Sequence, residues 1–274
     1  MISLLWHELR SRRRAIPGWT IALSFFSVIY MVIFTALPFQ VREIDPQTLA
    51  LLKSLGVQTL ATFEGFILGT EFNVLPLIAG IFGISLGISG LVGEEDDGTL
   101  ELVAALPISR ARLVLAKAAA LLISAFLVVS AAGLVAMAVF TMLRIDTAVT
   151  SLGLFRAILS TWLITFVFVA LSLFLGAYLP NRGAALAGAM GVLLVSFFGE
   201  NLAGIAPVLD PYRPFFPFSY FKRIVEMLTG DVAWKDILVL MSMGIGLLIL
   251  ALLSFQRRNL TVRAWPWQRP RHAD

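Results

Sequence analysis

The chain has 274 residues, 59% hydrophobic and 14% charged, with a mean hydropathy of +0.90 and a formal charge of +4. Soluble domains carry roughly 25% charged residues, so the composition excludes a soluble globular protein and indicates an all-α, polytopic membrane protein. The chain has no cysteine, which excludes a disulfide framework, a thiolate zinc site and a thiol nucleophile. The basic balance reads as the Lys/Arg bias of cytoplasmic loops, not as a nucleic-acid footprint.

The opening segment, 1–14, places Ile2, Leu5, Trp6 and Leu9 on one helical face, with arginines at its end. It reads as an amphipathic elbow helix in the membrane interface. The basic cluster leads into an apolar run too long for a signal-peptide core and without a small-residue cleavage pattern, so an uncleaved span is expected. Six transmembrane helices are expected near 15–38, 72–92, 113–143, 157–180, 184–207 and 236–256. Each is long enough at about 1.5 Å per residue to cross, or nearly cross, a core of about 30 Å. None shows the alternation of barrel strands. Six crossings put both termini on one side. The sequences RSRRR and FQRR abut the first and last spans, which assigns that side to the cytoplasm.

Between spans one and two, Asp45 and Pro46 suit the start of a short surface helix, with Ile44 and Leu49 as its staple. Span two contains GISLGISG, residues 83–90. The G-x-S-x-G spacing invites a serine nucleophile, but no histidine lies in a later span to act as base. Gly80, Gly83, Gly87 and Gly90 instead form a small-residue stripe for close helix packing. No G-x-x-x-x-G-K-[ST] occurs, since no lysine follows a glycine, and no metal-ligand pattern is present.

The spans contain almost no ionisable residue, and Glu200 is the single candidate. It follows Arg182 by roughly 25 Å of helix rise, near the outer interface. It reads either as an interfacial carboxylate or, with Asn201, Phe215 and Phe216, as part of a substrate path. The outer segment 205–236 is rich in proline and aromatic residues, and short outer-face helices are expected before span six, one of them from Ser219 to Leu228.

The connection after span two reads GEEDDGTLELVAALPISRARLVLAK, residues 93–117. Asp96 and Asp97 favour a helix N-terminus. Leu100, Val103, Ala104 and Leu106 give a partial apolar face, Pro107 stops the helix, and Ser109 caps the next one. These residues describe a short helix across the cytoplasmic mouth that either docks a soluble partner or serves as a capped turn.

The pattern E-x-x-x-G-T-L-E-L-x-x-x-x-P-I-S-R-x-x-x-x-x-x-K, Glu94 to Lys117, resembles the first cytoplasmic loop of ABC-2-type transporter permeases, which are related to the transmembrane parts of the ABCG and ABCA transporters. Glu94, Gly98, Thr99, Glu101, Pro107, Ser109, Arg110 and Lys117 match it. The stretch PFFPFSYF, residues 214–221, is similar to one found before span six in that family. The resemblance implies one ABC-2-type transmembrane domain over 1–274, with a coupling helix at 94–107. The contact set for an ATPase subunit would be Glu94, Asp97, Gly98, Thr99, Leu100, Glu101, Val103, Pro107, Ser109, Arg110 and Lys117. It further implies a non-catalytic permease subunit of an exporter-like complex in the cytoplasmic membrane. That subunit would pair with a second copy or a paralogue and bind no cofactor, with ATP and Mg on the partner ATPase. A charge-free lining would suit a hydrophobic or amphipathic cargo. An assembly or regulatory subunit of the same fold and an autonomous channel are the competing readings.

Overall fold

A computed structural model describes residues 15–36, 62–96, 110–179, 181–226 and 232–257. The elbow segment, the surface helix around Asp45 and residues 97–109 lie outside them. Among the described residues the chain is helical, without strands. Its elements are α1 (Ala15–Ala36), α2 (Phe63–Gly69), α3 (Glu71–Asp96), α4 (Arg110–Leu143), α5 (Ser151–Tyr178) and α6 (Arg182–Ala203). A 3-10 helix (Pro207–Phe215), α7 (Pro217–Glu226) and α8 (Trp234–Arg257) follow. Six stretches are long and apolar enough to cross a membrane, with α2 and α3 together forming the second.

Three helix starts are set by side-chain caps. Thr62, Thr150 and Asn181 accept the backbone N–H of Gly65, Gly153 and Ala184, each satisfying a donor that the first turn leaves unpaired. Two of these caps move the expected boundaries. The second span begins at Phe63 instead of 72 and the fourth at Ser151 instead of 157. Glu71 and Arg156, taken as ends of uncharged runs, are inside the spans that Thr62 and Thr150 start. The fifth span ends at Ala203, short of 207.

The hub is α5, which packs against α3, α4, α6, α7 and α8. Of its most apolar window 72% is buried, against 28% for α1 and 17% for α8. The outward faces of α1 and α8 are therefore apolar and open, with Ile21, Phe25, Leu238 and Ile249 exposed, as suits helices bordered by lipid or another helix.

The tightest seam joins α3 to α5. A Cβ at Gly83 would lie 2.7 Å from the Thr165 carbonyl oxygen, and one at Gly87 2.8 Å from that of Val169. The backbones meet so closely that only hydrogen fits, and Thr165 Oγ1 donates across the seam to the Ala79 carbonyl at 3.3 Å. Gly80 packs on Leu193 and Phe168, and Gly90 on Leu121.

Glu64 joins two chain reversals: its Oε1 accepts from Thr147 Oγ1 at 2.6 Å and from the Ala148 N–H at 2.9 Å. That end of the bundle also carries the 3-10 helix and α7, and is called the capped end below. The end where α3 stops and α4 starts is the far end.

Candidate functional site

Three prolines, at 207, 211 and 214, keep the segment after α6 from forming an α-helix, since each lacks an N–H and crowds the preceding turn. The segment folds as a 3-10 turn, and Pro217 then opens α7. The helix expected from Ser219 thus starts two residues earlier and is described to Glu226. It is amphipathic: Phe218, Ser219, Phe221 and Val225 are buried, while Lys222 and Arg223 are exposed. Phe218 sets it in place between Phe168 of α5 and Phe197 of α6, with ring centroids 5.9 and 5.6 Å away.

This arrangement brings polar groups onto Glu200, in the last turn of α6 and 7% exposed. The Ser219 hydroxyl donates to Glu200 Oε2, and it also lies 3.0 Å from the Arg213 carbonyl oxygen, so its one proton sits between two acceptors. Arg213 Nε is 3.6 Å from the same carboxylate oxygen without hydrogen-bonding geometry. That contact is a Coulombic one between a buried acid and a partly exposed base. Arg213 also reaches Asp210 at 3.5 Å. Glu200 therefore holds the 3-10 helix and α7 onto α6.

A cleft opens beside this latch between α2, α3, α6 and α7. Asn73, Pro76, Phe197, Glu200, Asn201 and Lys222 are in its wall, and it encloses about 30 Å³. One or two waters fit such a space, whereas small-molecule pockets run to roughly 300–1,000 Å³. Asn201 spends its Nδ2 on the Phe197 carbonyl at 2.9 Å. Phe215 is exposed and Phe216 packs against Gly199, and neither lines the cleft. Of the four residues expected on a substrate path, the structure brings together Glu200 and Asn201.

At the far end, Glu94 belongs to the last turns of α3 and Arg110 begins α4. Asp97, Gly98, Thr99, Leu100, Glu101, Val103, Pro107 and Ser109 lie outside the described residues. Lys117 is 2% exposed and belongs to the bundle interior, not to an open docking surface.

Glu200 is not the single ionisable side chain within the spans, as the sequence suggested. Lys117 is one addition and Glu71 another. Glu71 is 0% exposed, and neither carboxyl oxygen has a hydrogen-bond partner. It sits where the helix is locally weakened. Thr70, between α2 and α3, stays in the right-handed helical region but is drawn out to φ −112°, ψ −70°, and Pro76 lies inside α3, where its missing N–H leaves the Phe72 carbonyl without the usual bond. A run-based reading ends the span at Glu71. The Thr62 cap is the signal that would have placed the acid inside.

The sequence model of the family described as ABC-2 family transporter protein matches residues 2–260. No curated protein matches the chain.

Proposed function

The chain belongs to the ABC-2 family transporter proteins, and from that premise we propose that it is an exporter-type permease driven by a separate ATPase subunit. It is a multi-pass membrane protein, and proteins of this family are generally non-catalytic membrane subunits that partner with ABC ATPases. The observation that carries the proposal is the family match across 2–260, together with the six spans. The acidic sequence of the connection between α3 and α4 supports the coupling role.

In this reading the coupling helix expected at 94–107 begins after Asp96, because Glu94–Asp96 belong to α3. The segment joins the end of α3 at Asp96 to the start of α4 at Arg110, so a push on it moves two spans at once. From Arg110 to Leu143, α4 is one unbroken helix, roughly 50 Å long, which carries displacement from the far end to the capped end. Closing of the ATPase pair on ATP would favour one arrangement of the permeases over another, a shift of population. The far end, where α1 starts and α8 stops, would face the cytoplasm. The 30 Å³ cleft is too small for an amphipathic cargo, and the open apolar faces of α1 and α8 are available for pairing with a second permease copy.

The test is a mild-detergent pull-down of the tagged chain, with mass spectrometry and ATP hydrolysis on the eluate. A P-loop ATPase is expected in stoichiometric amount. Replacing Glu101 and Arg110 by alanine should lower recovered hydrolysis about tenfold, the equivalent of about 1.4 kcal/mol of docking energy, without changing the chain's own elution. Undiminished hydrolysis in the double variant would remove the coupling assignment. Absence of any ATPase would favour an autonomous channel.

A further inference from the structure

Hydroxyl groups in this bundle follow a common habit. Ser89, Ser124, Ser160, Thr161, Ser172 and Ser242 each donate to the carbonyl three or four residues back in their own helix. That local bond lets a hydroxyl reside in an apolar helix at little cost. Ser130 and Ser196 depart from it, and so do Ser24 and Ser27, which share one helix, α1. Ser24 and Ser27 are both buried, and neither hydroxyl has a partner. They lie three residues apart, hence on one face. The Ser27 hydroxyl approaches the Glu71 carboxyl without reaching hydrogen-bonding geometry. An orphaned acid of α3 thus faces an orphaned hydroxyl of α1, Ser27, with a second, Ser24, one turn away on that helix.

A carboxylate charge in the seam between α1 and α3 would have lost its water with only the Ser27 hydroxyl nearby, which is strongly unfavourable. Among the described residues the surrounding elements offer no compensating base. Between Ala15 and Ala36, α1 has Tyr30 as its one titratable side chain. Glu64 of α2 is engaged with Thr147 and Ala148. Arg112 and Lys117 of α4 are toward the far end, while Arg144 follows α4 and Arg156 lies in the second turn of α5. Lys222 of α7 lines the cleft that Phe72 and Asn73 border, not Glu71, and Arg223 pairs with Asp236 of α8 at 2.6 Å. Zero exposure leaves no volume for a hydrated cation. A proton needs none.

We propose that Glu71, with Ser27 and Ser24, is an intramembrane proton-binding site whose occupancy is linked to the packing of α1 against α3. With the helices together, one carboxyl oxygen holds the proton. When they part, water enters along Ser27 and Ser24 and accepts it; the O–H bonding pair stays on Glu71 as the carboxylate charge, now hydrated. The weak points at Thr70 and Pro76 let this part of the second span move while the glycine seam below holds α3 to α5. Proton supply at the capped end thereby biases which arrangement the permease adopts. The site belongs to one protomer and stands or falls without reference to an ATPase.

The test uses the full chain in phosphatidylcholine vesicles and infrared difference spectra over a pH series. A carbonyl stretch of a protonated carboxylic acid is expected at neutral pH, lost in Glu71→Gln, retained but shifted in Glu71→Asp, and shifted in Ser27→Ala. Because the chain has no cysteine, Ser24→Cys supplies a sole thiol. Its labelling by a membrane-permeant maleimide should rise as the band disappears at alkaline pH, and should not rise when Glu71→Gln is added. Identical neutral spectra for wild type and Glu71→Gln would overturn the proton site. Sodium-dependent thermal stabilisation of wild type alone would replace it with a cation site. Labelling independent of pH would overturn the link to helix packing.

Discussion

Glu200 and Glu71 are the same residue type, both buried among helices near the capped end, and the bundle treats them oppositely. Glu200 sits in a last helical turn, where the chain folds back and delivers Ser219 and Arg213 to it. Glu71 sits mid-span, opposite α1, whose 22 residues contain no charged side chain, and its oxygens meet no donor. The first acid is satisfied by structure and so acts as structure. The second is unsatisfied, and its chemistry stays available. In an apolar bundle the role of an acid is set by what the facing element can offer, more than by its depth.

The sharpest way to break this contrast is to remove Glu200. Glu200→Ala leaves Ser219 without its carboxylate and Arg213 without its counter-ion, and should cost about 3 kcal/mol, the upper range for orphaning buried polar partners. Glu200→Gln keeps an acceptor for Ser219 and loses the charge opposite a partly exposed arginine, which should cost about 1 kcal/mol or less. Thermal unfolding in detergent measures both. Equal losses for the two variants would mean that the ion pair, not the hydroxyl, holds the cap.

A smaller effect is expected at the glycine seam. Gly83→Ala places a methyl 2.7 Å from a backbone oxygen, so α3 must move off α5 at about 2 kcal/mol. Gly18→Ala, with nothing within 4 Å of its added Cβ, should be neutral or slightly stabilising. If the two alanines behaved alike in the same melts, close packing would not be what seats the helix carrying Glu71.

The six spans were legible because apolar run length is dictated by bilayer thickness, and the family pattern at Glu94–Lys117 was legible as spacing. The treatment of charge was not. Equating an acid or a base with a water boundary cut the second span at Glu71 and the fourth at Arg156, although Thr62 and Thr150 announce the true starts as N-caps. The Glu200 latch depends on Arg213 and Ser219, which lie 13 and 19 positions further on. A 3-10 turn returns them to α6, and that return path is a property of three-dimensional closure that no local pattern expresses. The same holds for Ser27, which is unexceptional in α1 until α3 places an acid against it.

Among the substitutions at buried acids, the one at Glu71, 0% exposed, should cost least. Glu71→Gln replaces a group that has no hydrogen bond and no ion pair with a neutral amide of nearly the same shape. If Glu71 is carried as a neutral acid, unfolding at neutral pH should change by about 0.5 kcal/mol or less, the range of a substitution that breaks no named interaction. An ionised Glu71 predicts the reverse, since removing an uncompensated buried charge would stabilise the bundle by several kcal/mol. The melting shift of this variant therefore separates the two states by its size. Paired with Glu200→Ala, it asks whether partners, and not burial, decide what an acid in this membrane bundle does.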